Sequence, residues 1–151
     1  MTKRLSFLFI FALLLSLVLV ACGDETALVP AYSGATSVTV PEIVKTQFAG
    51  SVNQFNNGTV EAYKTTDDIV KVKSGFESNF KSGGWEDKTS TYAGGTDLKP
   101  LQDAGMFIIA YQKGNKAAVI FGVPNAMSAP MGFTGLNANE NVYMVISGNG
   151  K

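Results

Sequence analysis

The chain contains no histidine and a single cysteine, Cys22. Without histidine it lacks the side chain most often used for proton transfer near neutral pH, which is also the commonest metal ligand. One cysteine allows neither a disulfide within the chain nor a cysteine-based zinc site. Arginine occurs only as Arg4, so every basic side chain beyond it is a lysine. Nucleic-acid recognition, which draws on basic surfaces and bidentate arginine contacts, is therefore not expected.

The N-terminus is zoned. Lys3 and Arg4 precede a stretch over 5–20 that is apolar apart from Ser6 and Ser16, and Ala21 and Cys22 follow. A basic start, an apolar core and a small residue at the cut point describe a secretory signal peptide. Its basic end stays on the cytoplasmic side. An uncleaved anchor is the alternative, because residues 5–21 just reach the roughly 17–25 residues needed to span a bilayer. An ordinary, lipid-free signal peptide is another.

The stretch Leu19-Val20-Ala21-Cys22 resembles the lipobox of bacterial lipoproteins. The resemblance covers about the first 23 residues. It implies that Leu19, Val20 and Ala21 are read by a dedicated peptidase, that cleavage falls before Cys22, and that Cys22 carries a diacylglyceryl group, with its new amino group often acylated as well. Two or more acyl chains anchor a protein stably where one does so only marginally. In Gram-negative members an aspartate after the cysteine favours retention at the inner membrane; here that position is Gly23. The membrane, reached through lipid on Cys22, is thus the expected partner and the extracytoplasmic side the expected location.

Removing residues 1–21 leaves 130 of the 151 residues, and the loss of Lys3 and Arg4 leaves 10 basic against 12 acidic groups, a net of −2. This length suits a lipidated cysteine and tether over 22–35 and one domain over 36–151. The tether reading rests on mixed Gly, Asp, Glu, Thr, Pro and Ser without periodicity. Residues 36–40 are β-branched and predict a strand. Pro41 and Glu42 suit a first helical turn, and Ile43, Val44 and Phe48 give a short helix over 42–49, with a strand as the rival. Asn56-Asn57-Gly58 signals a turn before a strand over 59–65. A helix over 67–82 is the strongest element: a threonine cap, Asp67 and Asp68 in the first turn, Ile69, Val72, Phe76 and Phe80 on one face, and Gly83-Gly84 at its end. Within it Gly75 weakens the helix or admits a neighbour closely. A strand over 85–91, a helical turn over 98–103, a hairpin of 106–112 and 117–123, a loop over 124–141 and a last strand over 142–147 complete the reading. The expected fold is α+β: a mainly antiparallel sheet with one long helix (67–82) and one short helix packed on one face.

The order Tyr32-Ser33-Gly34-Ala35, a Tyr-x-Thr strand, a Thr-Asp-Asp helix start, an aromatic helix end and Gly83-Gly84-Trp85 resembles small bacterial lipoproteins that begin Tyr-Pro-Gly-Ala and lead a helix into a Gly-Trp strand. The likeness spans roughly 32–123. Ser33 departs from the proline, and Phe76 stands near an expected aromatic-Tyr pair. The resemblance implies fold and location, not an activity.

Ser78 and Lys81 match the Ser-x-x-Lys spacing of penicillin-binding proteins, but the Lys-Thr-Gly and Ser-Asp-Asn partners are missing and a solvated helix end explains the pair. Asp67-Asp68 reads as capping charge, Glu86-Asp87 as a solvated strand, and the Gly-Gly pairs lack the context of a phosphate loop. The Asn57-Gly58-Thr59 sequon reads as a turn. No catalytic residue, metal site or cofactor is expected. The loop 124–141 is long for an unstructured connection, and Met127, Met131, Phe133 and Leu136 in it suit either an adaptable contact surface or a lid on the core. The expected function is a membrane-anchored, non-enzymatic envelope module that binds a protein or a small apolar ligand. The alternative is a small envelope hydrolase or peptidoglycan-active enzyme.

Overall fold

The uninterrupted apolar run Val142–Ile146 becomes the strand on which the rest of the fold is assembled. The computed structural model describes residues 28–92 and 98–150. In chain order the elements are β1 (Thr36–Val38), α1 (Glu42–Val52), β2 (Phe55–Thr65), α2 (Ile69–Ser82), β3 (Glu86–Asp87), α3 (Thr89–Tyr92), α4 (Lys99–Asp103), β4 (Phe107–Lys113), β5 (Lys116–Val123), α5 (Asn125–Ser128), a 3-10 turn (Ala129–Met131) and β6 (Asn141–Gly150). The strands form one sheet ordered β1-β2-β6-β5-β4-β3, and all neighbouring strands run antiparallel. The α+β class and the antiparallel sheet expected from the sequence are both present.

The expectation that the helices share one face does not hold. Along β6, Tyr143 and Val145 face a core completed by Ile69, Val72, Phe76 and Phe80 of α2. Val142 and Met144 face the opposite core, which Val44 and Phe48 of α1 close. The sheet is therefore covered on both faces. The reason lies in β5 and β6, whose near-continuous apolar runs lack the polar alternation of a strand with one wet face. All residues from Val142 to Ser147 are buried.

Nor does one long helix dominate. α2 has 14 residues and α1 has 11, and the other helices are single turns. α2 begins later than the expected residue 67 because Asp68 is its cap: the backbone is extended there (φ −58°, ψ 141°) and the carboxylate accepts the Val70 N–H at 2.7 Å. Asp67 thus stands outside the helix. The expected face of α2 is confirmed, with Ile69, Val72, Phe76 and Phe80 buried, each worth roughly 1.5–3 kcal/mol of burial free energy.

Two further expectations change. Asn56-Asn57-Gly58 is not a turn between elements but a bulge inside β2: the register steps from Asn56↔Asn149 to Thr59↔Ser147, leaving one extra residue, and Asn57 takes φ 54°. The strand expected over 85–91 stops at Asp87, whose carboxylate accepts the Thr89 N–H at 2.8 Å and turns the chain into α3. The β4–β5 hairpin matches expectation, with Lys113 paired to Lys116 and Gly114 at φ 58° between them.

Candidate binding site

The segment over 28–35, expected as tether, is packed on the α2 face of the domain. Val29 is only 3% exposed within the α2-side core, and Tyr32 and Ala35 lie against it. Tyr32 makes the attachment. Its backbone N–H donates to the Tyr143 hydroxyl at 2.9 Å, and its own hydroxyl donates to Asp67 Oδ2 at 2.9 Å. Asp67 also accepts Lys71 Nζ at 2.9 Å, and its carbonyl accepts Asn141 Nδ2 at 3.0 Å. The Tyr32 ring lies over Gly75, where an added Cβ would come within 2.6 Å of Tyr32 Cε2. This is the close approach that the glycine in the middle of α2 permits. Phe76 meets Tyr143 edge-on at 5.3 Å, and Tyr63 stacks on Tyr143 at 5.2 Å.

The electrostatics of this knot are those of a fastening. Burial pushes the Tyr143 hydroxyl well above the usual tyrosine range, so it stays protonated. Hydrogen bonds from Lys71 and Tyr32 hold the Asp67 carboxyl below the usual carboxylate range, so it stays charged.

Beside the knot, Leu28, Val29, Pro30, Phe76, Asn79, Phe80 and Trp85 line a cavity of about 210 Å³. Phe80 presents its ring edge-on to Trp85 at 5.1 Å and stacks on Tyr111 at 4.4 Å. A second cavity, of about 260 Å³, lies at the other end of α2, between Ile69, Val70 and Lys73 and the α4 region with Leu98, Leu101, Met106 and Phe107. A third, of about 150 Å³, opens on the α1 face between Phe48, Tyr92, Ile108, Val119 and Ile146. Among the described residues no acidic side chain lines any of these cavities. Among the described residues no cluster of potential metal ligands occurs.

The loop 124–141 is a laced structure. Asn125 Nδ2 donates to the carbonyls of Asn137 (2.9 Å) and Glu140 (2.7 Å), and Asn141 Oδ1 accepts the Asn125 N–H at 2.9 Å. Glu140 accepts the Asn137 N–H at 2.8 Å and pairs with Lys64 of β2 at 2.9 Å. Hydrogen bonds from Lys64, then from the Asn137 backbone, hold the Glu140 carboxyl below its usual range. Phe133 is buried in the α1-side core, and Met127, Met131 and Leu136 pack against that core. Of the two arrangements expected for these side chains, contact surface or lid, the packing is that of a lid on the core.

Ser78 and Lys81 are both exposed on α2, on the side away from its buried residues. The residues of the lipobox, Leu19, Val20, Ala21 and Cys22, lie outside the described residues. Among the described residues no helix is long and apolar enough to cross a membrane. The cavity lining at Leu28, Val29 and Pro30 was hidden in the sequence by the Gly, Pro and Ser around it; the pair Leu28-Val29 and the aromatic Tyr32 are the signals that reveal it. Compared with protein-family models, curated proteins and solved structures, the chain matches none.

Proposed function

We propose that this chain is a lipoprotein, cut before Cys22 and held through lipid on Cys22 at the extracytoplasmic face of a cell membrane, where it binds a small apolar ligand without catalysing a reaction. The anchor is supported by the basic, apolar and Leu-Val-Ala-Cys zones of residues 1–22. The binding role is carried by one observation, the cavity of about 260 Å³ beside α2 and α4. It falls just short of the roughly 300–1,000 Å³ of drug-sized ligand pockets, so it fits a small molecule. Among the described residues its lining side chains are apolar except for Lys73 and Gln102. Lys73, paired with Glu77 at 2.6 Å, is the charged member of that lining. An amphiphile with a short aliphatic body and an acidic end suits that composition.

The test is thermal unfolding of the full chain with dodecanoate and with dodecanol. Dodecanoate is expected to raise Tm progressively with the logarithm of its free concentration above Kd. Leu101→Glu, in the wall of the cavity, should abolish the rise, and Lys73→Met should weaken the response to dodecanoate but not to dodecanol. An equal rise in the Leu101→Glu protein would reject the cavity as the ligand site. For the anchor, Cys22→Ser should leave an unprocessed precursor; normal processing and unchanged membrane attachment would sink that part.

A further inference from the structure

The fold begins closer to Cys22 than a tether over 22–35 would allow, and this limits how far an anchored domain could stand from its membrane. Leu28 already lines a cavity and Val29 is buried. The Cα-to-Cα path from Cys22 to Leu28 has six steps. Fully extended, at about 3.3–3.6 Å per residue, it reaches roughly 20 Å. A domain of about 120 residues has a radius of gyration near 13–14 Å and is roughly 35 Å across. The leash is shorter than the body is wide, so an anchored Cys22 would keep the end carrying Leu28 within roughly 20 Å of the bilayer.

That end is also the one built for it. The cavity of about 210 Å³ there is walled by Leu28, Val29, Pro30, Phe76, Phe80 and Trp85, with Asn79 the polar member of its rim. Trp85 is half-buried, with one side on Phe80. Tryptophan favours the membrane–water boundary, where its apolar ring and its N–H are both satisfied. The charges nearby are of both signs. Lys81 lies in the last turn of α2, Lys113 Nζ donates to the Gly83 carbonyl at 2.7 Å, and Glu86 and Asp87 follow Trp85. This mixture gives anionic headgroups no net attraction to the surface and leaves apolar contact as its distinguishing chemistry.

Resting on the anchoring reading above, we infer that the surface formed by Leu28, Pro30 and Trp85 is the bilayer contact of the domain, with the open cavity beside Trp85 taking phospholipid acyl chain at the headgroup boundary. Trp85 is the only tryptophan in the chain, so it reports its own position. The experiment uses the full-length protein, purified with its native modification and reconstituted into phosphatidylcholine vesicles with acyl chains brominated near the glycerol. Trp85 emission should be largely lost relative to unbrominated vesicles, to the same extent with or without added phosphatidylglycerol. Leu28→Glu should restore most of the emission while the protein stays lipidated by mass. If Cys22 is lipidated and Trp85 is not quenched, or is quenched only with phosphatidylglycerol present, this inference fails while the anchor stands. Equal quenching in the Leu28→Glu protein also overturns it. An unlipidated Cys22 removes the anchoring reading and this one with it.

Discussion

At Gly75 two effects of opposite sign meet. Replacing a helix-interior glycine by alanine ordinarily stabilises by up to about 1 kcal/mol. Here the new methyl group runs into the ring of Tyr32, whose hydroxyl donates to Asp67 and whose backbone N–H donates to the Tyr143 hydroxyl. Gly75→Ala is expected to be neutral or destabilising in the native chain and to recover the usual gain in a Tyr32→Ala background. Chemical denaturation of the four proteins measures the coupling; additive effects would contradict the packing described. Tyr143→Phe removes the acceptor of the Tyr32 N–H, and leaving that donor unpaired should cost about 1–3 kcal/mol. Proteolysis near residue 30 should accelerate in the same variant. Glu140 makes a pH prediction. Its carboxyl is held below its ordinary value by Lys64 and Asn137, so its contribution is present above about pH 4.5, the unfolded value, and disappears as pH falls through the lower folded value. The stability gap between the native protein and Glu140→Gln should therefore be largest near neutral pH and shrink below about pH 4; a gap independent of pH would contradict the ion pair. None of these pairings was legible in the sequence. Tyr32 and Tyr143 lie 111 positions apart, and only the fold brings them together.

At the scale of elements, legibility followed local periodicity. α2 was readable because Ile69, Val72, Phe76 and Phe80 recur at helical spacing and Gly83 ends it. The β4–β5 hairpin was readable because two apolar runs flank Gly114 and Asn115. β3 and the bulge in β2 were misread because side-chain hydrogen bonds and a single left-handed residue decided them, not periodicity. The error about helix placement has one source. β5 and β6 are apolar on both faces, and that pattern called for helices on both. The N-terminus of α2 is held by Asp68, so Asp68→Ala should cost about 1 kcal/mol in thermal or denaturant unfolding, and Asp68→Asn far less. In the 124–141 segment Phe133→Ala should cost about 3–5 kcal/mol, because the ring fills the α1-side core. A change much smaller than that would mean the segment is not a lid.

For the whole molecule, the parts point in one direction. The sheet is sealed on both faces, its apolar cavities open along α2, and the packed N-terminal segment leaves at most a few residues between fold and Cys22. We propose such a body as a module carried close to a membrane, and that anchoring depends on the state of Cys22. The intact mass of the protein taken from its native membrane tests it most directly. The account predicts a chain that begins at Cys22 and is heavier than residues 22–151 by a diacylglyceryl group, with or without a further acyl chain. A chain that still begins at Met1, or one with a free Cys22 thiol, would contradict it.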